Sequence, residues 1–427
     1  MTESIAPETD TTPDDAAPET ARNSFPFPQG PDRFPFPDGP MASPPPEFGR
    51  RRAQCPVSEV TLPMGDKVLL LVKHADIHAV MSDDARFTRD LSQPDRPRLF
   101  PNQEVLEDPT LVMNMNGDEH LRLRRIIGPA FTPRRVEGWR PEIAQIVGEL
   151  LDDMEAAGSP ADLMADFANK LPTRLVLRQF GLPDDDGARL QRWVSAWLSV
   201  AAPEEMDAIR VEFSQWVVDT AERSRRDPGT ALIDRLVDAH DEGDRMSDAE
   251  LESMIRSIVA AGIESIGNAI ARSVFTLLRD VEHWEALVAD RSLLPGAIEE
   301  LMRVNPPGGG SVGLMRKATE DVVLPSGALV RAGQWVTTPV VAAAHDPEVF
   351  PEPEEFRLDR PKTAPTMIFG AGRHFCPAVH LAKAEVEVTL SALMDRFPGL
   401  RMAVAPQDLP WSNSNFTVGL PGLPVTW

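Results

Sequence analysis

One long helix sets the scale of any fold that this chain can adopt. Ser247 and Glu250 form a capping box, the usual start of a helix, and the apolar periodicity continues to about Asp280. Some 30 residues at 1.5 Å each would span roughly 50 Å, about the width of a whole domain. Such a helix must pass through the core. The apolar positions that follow this period are Leu251, Ile255, Ile258, Val259, Ile266, Ile270, Val274 and Leu278.

The remaining pattern predicts a mainly α protein with a minor β-sheet region. Helical periodicity marks 141–156, 187–200, 205–224 and 285–304. Alternating apolar residues around a turn at 64–66 predict a hairpin over 56–72, and shorter strand signals occur at 321–338 and near the C-terminus.

The centre of the long helix does not suit a buried helix. It reads Ala260-Ala261-Gly262-Ile263-Glu264-Ser265. Glycine costs about 1 kcal/mol there relative to alanine, and Ser265 can donate a hydrogen bond back to the Ala261 carbonyl. Burial of Glu264 is costly as well. Two interpretations stay open: a surface turn of an amphipathic helix, or a groove where small residues admit a ligand.

Composition excludes several classes of function. A net charge of -23 disfavours nucleic acid as a partner, and no uncharged apolar run reaches the roughly 18 residues of a membrane span. Two cysteines fit a reducing cytoplasm, and the acidic start lacks the features of a signal peptide. With no tyrosine in the chain, no mechanism can use a phenol. We therefore expect a cytoplasmic protein without membrane or nucleic-acid partners.

The N-terminal residues divide into a tail and an arm. Residues 1–24 are acidic and almost free of large apolar side chains, so they predict a disordered acidic tail. Phe25-Pro26-Phe27-Pro28 and Phe34-Pro35-Phe36-Pro37 follow, where proline prevents helix and phenylalanine supplies anchors. We expect an extended arm packed along the surface.

The sharpest motif surrounds a cysteine. Phe369-Gly370-Ala371-Gly372-Arg373-His374-Phe375-Cys376 lies directly before a helical run that begins near Val379. The glycines let the backbone turn around the thiol, and a thiolate before a helix is stabilised by the helix dipole and nearby amides. The alternatives are a metal-ligating thiolate and an inert buried cysteine.

This segment resembles the haem-thiolate signature of the cytochrome P450 family, with Phe369, Gly370, Gly372, His374 and Cys376 at matching positions. The family usually has glycine where this chain has Ala378. The resemblance implies a single catalytic domain over 25–427, folded as a helix-rich triangular prism. Haem b would lie between the long central helix and the cysteine loop, with Cys376 as its axial ligand.

Other segments resemble the family in the same order. Glu300 and Arg303 match its glutamate-arginine helix motif, and their spacing puts them on one helix face, where Arg360 or Arg357 could join them. The resemblance implies that this network holds the cysteine loop. It also implies that four cations contact the haem propionates, namely His120, Arg124, Arg316 and His374.

The centre of the long helix matches the oxygen-activation segment of the family. The resemblance implies that Ala261 and Gly262 leave space above the iron, and that Glu264 and Ser265 form the acid-alcohol pair for proton delivery. The family usually has threonine at the second position. Serine keeps the hydroxyl but lacks the methyl group that restricts its rotamer.

The resemblance implies a monomeric monooxygenase that uses O2 and receives electrons from NAD(P)H through a ferredoxin reductase and a ferredoxin. A bulky hydrophobic small molecule, most simply hydroxylated in secondary-metabolite biosynthesis of an actinomycete type, is the expected substrate. Oxidative coupling or ring formation, and a haem-binding sensor without turnover, are the alternatives. Expected substrate contacts are Trp193, Trp197, Ile258, Gly309, Val312 and Phe416, although the spacing of the two tryptophans also fits a core position.

For docking of an acidic ferredoxin, a local basic patch is required. Candidates near the haem edge and the cysteine loop are Arg122, Arg125, Arg134, Arg135, Arg373 and Lys383. The alternative is a scatter of unrelated surface charges.

Overall fold

The computed structural model describes residues 32–99, 108–198, 203–241, 246–306, 312–362, 364–412 and 419–427. The predicted acidic tail, the first Phe-Pro repeat, and the candidate substrate residues Gly309 and Phe416 lie outside these ranges.

The described chain is mainly helical, as the periodicity predicts. Its α-helices are α1 Pro46–Gln54, α2 His74–Ser82, α3 Gly117–Ile127, α4 Pro133–Glu137, α5 Arg140–Ala157, α6 Lys170–Phe180, α7 Gly187–Trp197, α8 Pro203–Arg226, α9 Leu232–Asp241, α10 Asp248–Arg279, α11 Val281–Ala289, α12 Leu294–Val304, α13 Val340–Ala344 and α14 Val379–Arg396.

The strands are short. They are β1 Val57–Thr61, β2 Lys67–Leu71, β3 Phe87–Thr88, β4 Ala161–Asp162, β5 Leu314–Ala318, β6 Val322–Val323, β7 Leu329–Val330, β8 Trp335–Thr338, β9 Arg401–Met402 and β10 Pro424–Thr426. The largest sheet has the order β1-β2-β8-β5-β3, and the predicted hairpin is its β1–β2 edge, with Val57 opposite Leu71. Strands β4, β10 and β9 form a second sheet, and β6 pairs with β7.

Helix α10 is the predicted long helix, and its 32 residues extend about 48 Å. The capping box at its start is formed as expected, because the Ser247 side chain accepts from Glu250 N and Glu250 accepts from Ser247 N. Helices α6, α7, α12 and α14 all pack against it. It is also long and apolar enough to cross a membrane, but 72% of its most apolar window is buried inside the protein, as in a core helix.

The region 285–304 corrects one prediction. The structure has two helices there, α11 and α12, instead of one. Asp290 accepts a hydrogen bond from Ser292 N at 2.9 Å and caps a 3-10 turn, and Pro295 lies in the first turn of α12. Proline in a first turn is typical of a helix start, so the continuous periodicity hides a real boundary.

The described part of the Phe-Pro arm packs as predicted. Phe34 and Phe36 are buried, and their rings meet edge to face at 5.3 Å. Phe36 also contacts Phe48 of α1, and Phe34 N donates to Thr61 O at the end of β1. The arm therefore closes one side of the β-sheet core.

Candidate active site

The cysteine loop folds back on itself before α14. Cys376 N donates to Phe369 O at 2.8 Å, and Gly370 and Gly372 adopt left-handed backbone angles, with φ of 79° and 66°. A Cβ atom at Gly372 would lie 2.7 Å from Met81 O at the end of α2. The second glycine is therefore required both by its φ angle and by the close approach of α2.

Two opposing effects act on the thiol of Cys376. Burial raises its pKa above the ordinary value, whereas a hydrogen bond from the Ala378 backbone and the charge of Arg124 lower it. The expected amide stabilisation of a thiolate is thus present, but it does not outweigh burial in the protein alone. A bound metal cation would supply the missing stabilisation, because a thiol that coordinates a metal is deprotonated.

Histidine and arginine side chains converge beside this loop. The rings of His120 in α3 and His374 stack with centroids 4.1 Å apart. Arg124, one turn after His120, donates to Phe375 O, the carbonyl next to Cys376. Arg316 in β5 has no exposed surface, and its charge acts on both histidines. The structure therefore brings together all four residues that the sequence places at the haem propionates, two arginines and two imidazoles.

The electrostatics of this cluster favour an anionic ligand. Burial, followed by the charges of neighbouring arginines, lowers the pKa of His120 to about 4; burial and then the charge of Arg316 lower that of His374 to about 2. Arg316 donates to Phe87 O at 3.2 Å, but its Nε and Nη2 atoms have no hydrogen-bond partner among the described residues. Buried donors without acceptors are costly, and carboxylates such as the two propionates of haem would satisfy them. The residues present fit the group.

The open side of α10 lies where the sequence suggests a groove. Ala260 and Ile263 are buried, whereas Ala261 is exposed and Ile258, Glu264 and Ser265 are half-buried. The four residues that are not buried recur at three- and four-residue spacing and so form a stripe along one helix face. Ser265 Oγ donates to Ala261 O, as expected, and the helix continues without a break. The helical turns on both sides of this stripe are buried. The stripe therefore favours the interpretation as a ligand groove over that of a surface turn of an amphipathic helix.

Gly262 packs closely against α6. A Cβ atom at this position would lie 3.3 Å from Cγ2 of Val176 in α6. The glycine therefore allows close packing of α10 on α6, and among the two small residues it is Ala261 that faces the open side.

The tryptophan pair of α7 lies in the protein interior. The side chain of Trp193 has no exposed surface, and Trp197 is only 6% exposed. Both pack edge to face on Phe213 of α8, at 5.3 and 5.0 Å, and Trp193 also meets Trp216. They belong to an aromatic core between α7 and α8, which favours the core alternative over a substrate contact.

Of the other expected substrate residues in the described ranges, Ile258 lies on the open stripe of α10. Val312 is 8% exposed and precedes β5, and its carbonyl accepts from Thr337 Oγ1 at 2.7 Å. Gly313 follows with φ of 78°, and a Cβ there would lie 2.4 Å from the Thr338 carbonyl carbon. This close approach fixes the entry of the chain into β5 and hence the place of Arg316.

The glutamate-arginine network is fully formed in the interior. Arg303, 1% exposed, donates to both carboxylate oxygens of Glu300 at 2.8 Å, and Arg360 Nε donates to the same carboxylate at 2.6 Å. Arg357 contributes only its backbone N–H, at 3.3 Å, so Arg360 is the second side-chain partner. Both arginines also donate to backbone carbonyls between 344 and 355, on the chain that leads to the cysteine loop.

One buried residue beside this site was not predicted. Arg89 is 2% exposed, lies directly after β3, is affected by the charge of Arg316, and itself acts electrostatically on His374. Its neighbours in sequence, Thr88 and Asp90, give no signal of burial. Only the tertiary packing places it in the cation cluster.

A cysteine loop in front of a helix, buried cations with open donor positions, and a core helix with an open stripe define a haem-thiolate protein. A model of the family described as cytochrome P450 matches residues 200–421. The chain belongs to the cytochrome P450 family.

Its relatives include an oxygenase and a hydroxylase/epoxidase. The chain is 38% identical to nocardicin C N-oxygenase from Nocardia uniformis subsp. tsuyamanensis, over 90% of this chain and 95% of that protein. It is 37% identical to mycinamicin IV hydroxylase/epoxidase from Micromonospora griseorubida, over 89% and 94%. Among solved structures, cytochrome P450mel 107F1, with biaryl coupling reactivity, matches at a TM-score of 0.82 and 33% identity, covering 90% of this chain and 96% of that one.

Proposed function

We propose that this protein is a haem-thiolate monooxygenase that hydroxylates a bulky hydrophobic small molecule in secondary-metabolite biosynthesis. The observation that carries the proposal is the cation cluster beside the cysteine loop. Arg316 presents two buried donors without partners, and His120, Arg124 and His374 surround the same region. These residues lie beside the loop of Cys376 and would hold a dianionic cofactor there.

Each residue then has a defined task. Cys376 would be the axial ligand of haem b, and His120, Arg124, Arg316 and His374 would hold its propionates. The bound haem would supply O2 activation, with the thiolate donating electron density that favours O–O cleavage. Phe369 and Gly370 would shape the loop around the ligand.

Residues of α10 would handle protons and space on the opposite side. Ser265 would pass protons inward from Glu264, exchanging its present bond to Ala261 O for one to the reacting group. Ala261 and Ile258 would border the substrate, as would Val312, Gly309 and Phe416. Gly262 would act through its packing on α6.

A CO difference spectrum of the reduced protein tests the ligand directly. We expect a thiolate-type Soret band that Cys376→Ala abolishes. Cys55, the other cysteine, is exposed, so Cys55→Ala is a matched control that should keep the band. Retention of the band in Cys376→Ala would overturn the assignment. A screen for substrate-induced changes of spin state would then search for the substrate class.

We also propose that a ferredoxin, reduced by NAD(P)H through its reductase, supplies electrons to a monomeric, cytoplasmic enzyme. Half of the candidate basic patch pairs with acids: Arg122 with Glu250, Arg373 with Asp84 and Lys383 with Glu299.

Arg125 and Arg134 are exposed near the haem edge and remain the best candidates for contact with an acidic ferredoxin. Charge reversal at either position should raise the KM for ferredoxin and reduce its salt dependence. The same reversal at Arg331, exposed beyond β7, should change neither. An equal effect at all three positions would count against a local docking patch.

Oxidative coupling is the second candidate, because a structural neighbour of the chain has biaryl coupling reactivity. The mass of the product distinguishes the two reactions. A gain of one oxygen supports hydroxylation, whereas a loss of two hydrogens or a dimer supports coupling. Consumption of O2 that depends on NAD(P)H and a ferredoxin system would exclude a sensor without turnover.

A further inference from the structure

Arg89 makes three hydrogen bonds, all to neutral acceptors. Its Nε donates to Met113 O at 2.8 Å, Nη1 to Met315 O at 2.9 Å and Nη2 to Asn114 Oδ1 at 2.8 Å. The side chain is 2% exposed, so water does not compensate its charge. A buried guanidinium with only neutral partners is costly unless an anion lies nearby.

The three acceptors belong to two segments that carry the cations of the site. Met113 and Asn114 lie just before α3, the helix of His120 and Arg124. Met315 precedes Arg316 in β5. Arg89 therefore connects the start of α3, which carries His120 and Arg124, to β5, which carries Arg316.

The surroundings of Arg89 are electrostatically unusual. Burial, followed by repulsion from Arg316, lowers its pKa to about 9. Its charge also lowers the pKa of His374. Neither segment that it joins offers it a carboxylate among the hydrogen bonds and ion pairs of the described residues. Binding of an anionic ligand near Arg89 would therefore supply the counter-charge that the protein itself does not provide there.

We propose that Arg89 is a positioning residue of the haem site: it fixes α3 against β5 so that their cations converge on the same two carboxylates, and its charge adds to the positive field at the haem edge. This inference rests on the proposed function. A positive charge held near the haem stabilises the reduced state, which carries one more electron, and therefore raises the reduction potential.

Two variants separate the charge of Arg89 from its bonds. Arg89→Met removes both, and Arg89→Lys keeps the charge but cannot form the same three hydrogen bonds. We expect Arg89→Met to release haem about tenfold faster to an apoprotein acceptor and to lower the reduction potential, given the strength of charged hydrogen bonds. Arg89→Lys should also release haem faster, while its potential stays close to that of the unsubstituted protein.

Arg52 provides a matched control. It is also largely buried and donates to two backbone carbonyls, Val72 O at 2.9 Å and Ala342 O at 2.6 Å. Unlike Arg89 it has a carboxylate partner, Asp346 at 3.7 Å, and it is not among the cations that act on His120 or His374. Arg52→Met should lower thermal stability without moving the potential.

The outcomes distinguish this inference from the proposed function. If the unsubstituted protein lacks the thiolate-type band, the proposed function fails. If that band is present but Arg89→Met keeps both the potential and the rate of haem release, the role of Arg89 is overturned. A shift of equal size in Arg52→Met would overturn it too. Should Arg89→Met fail to fold, an unchanged rate of haem release in Arg89→Lys would be enough to reject it.

Discussion

Replacing Glu300 by glutamine should destabilise this protein far more than the same change one residue earlier. Glu300 is 5% exposed and accepts hydrogen bonds from Arg303 and Arg360, whose side chains are 1% and 7% exposed. Glutamine keeps the shape but leaves two buried cations without a counter-charge. Removing one partner of a buried ion pair costs about 3–5 kcal/mol.

Glu299 is the control that the chain itself offers. It lies in the same helix and pairs with Lys383 at 2.6 Å, but both side chains are about one-third exposed. An exposed pair of this kind contributes about 0–1 kcal/mol. Because glutamine replaces glutamate in both variants, differences in helix propensity cancel.

The assay is chemical unfolding followed by tryptophan fluorescence, together with the haem content of the purified protein. Glu300→Gln should lose a large part of a total stability of about 5–15 kcal/mol, and its haem content should fall because the network holds the chain before the cysteine loop. Glu299→Gln should behave like the unsubstituted protein. Equal losses in the two variants would refute the view that burial of the network sets its strength.

Three further predictions concern the cysteine loop and titration. Gly372→Ala should lower haem content, because the new Cβ would lie 2.7 Å from Met81 O of α2. Gly399→Ala is the control and should not change it, because the space around Gly399 is open. Equal haem contents in the two variants would contradict the packing argument. Burial raises the pKa of Glu385 to about 8. Because the unfolded chain loses this proton at lower pH, the unfolding free energy should fall by up to about 1.4 kcal/mol per pH unit as the pH rises from about 4.5 toward 8. Glu385→Gln should flatten that slope, and an unchanged slope would show that the carboxyl is not the cause. The hydrogen bond to Asp241 raises the pKa of His240, so its stabilisation is complete below its ordinary pKa of about 6.5 and is lost as the pH rises through the raised value. The melting temperatures of His240→Gln and the unsubstituted protein should therefore differ most at low pH. A difference that grows as the pH rises would contradict a raised pKa of His240.

Features that depend on neighbouring residues could be predicted from the sequence. The start of α10 follows from the reciprocal bonds of Ser247 and Glu250, which lie three residues apart. The cysteine loop follows from glycines whose backbone angles other residues rarely adopt. In both cases the physical cause lies within one or two turns of chain.

Features that depend on which face of an element meets which neighbour could not be predicted. The tryptophans of α7 share a helix face, but only the presence of Phe213 from α8 decides that this face is core. Likewise, Arg360 rather than Arg357 reaches Glu300 with its side chain because of the path of the loop after α13. Arg89 lies between two polar residues, and nothing local distinguishes it from a surface arginine.

The net charge of the chain, -23, says little about its most important charges. The acids are mostly at the surface, where water and salt screen them, whereas Arg89 and Arg316 are buried, and burial is the largest cause that lowers the pKa of each. An acidic ligand would remove this cost, so its binding energy would add directly to the stability of the folded protein. A haem bound as proposed would therefore couple folding of the α3–β5 region to occupation of the site, with the compensating arginines held inside an overall acidic protein.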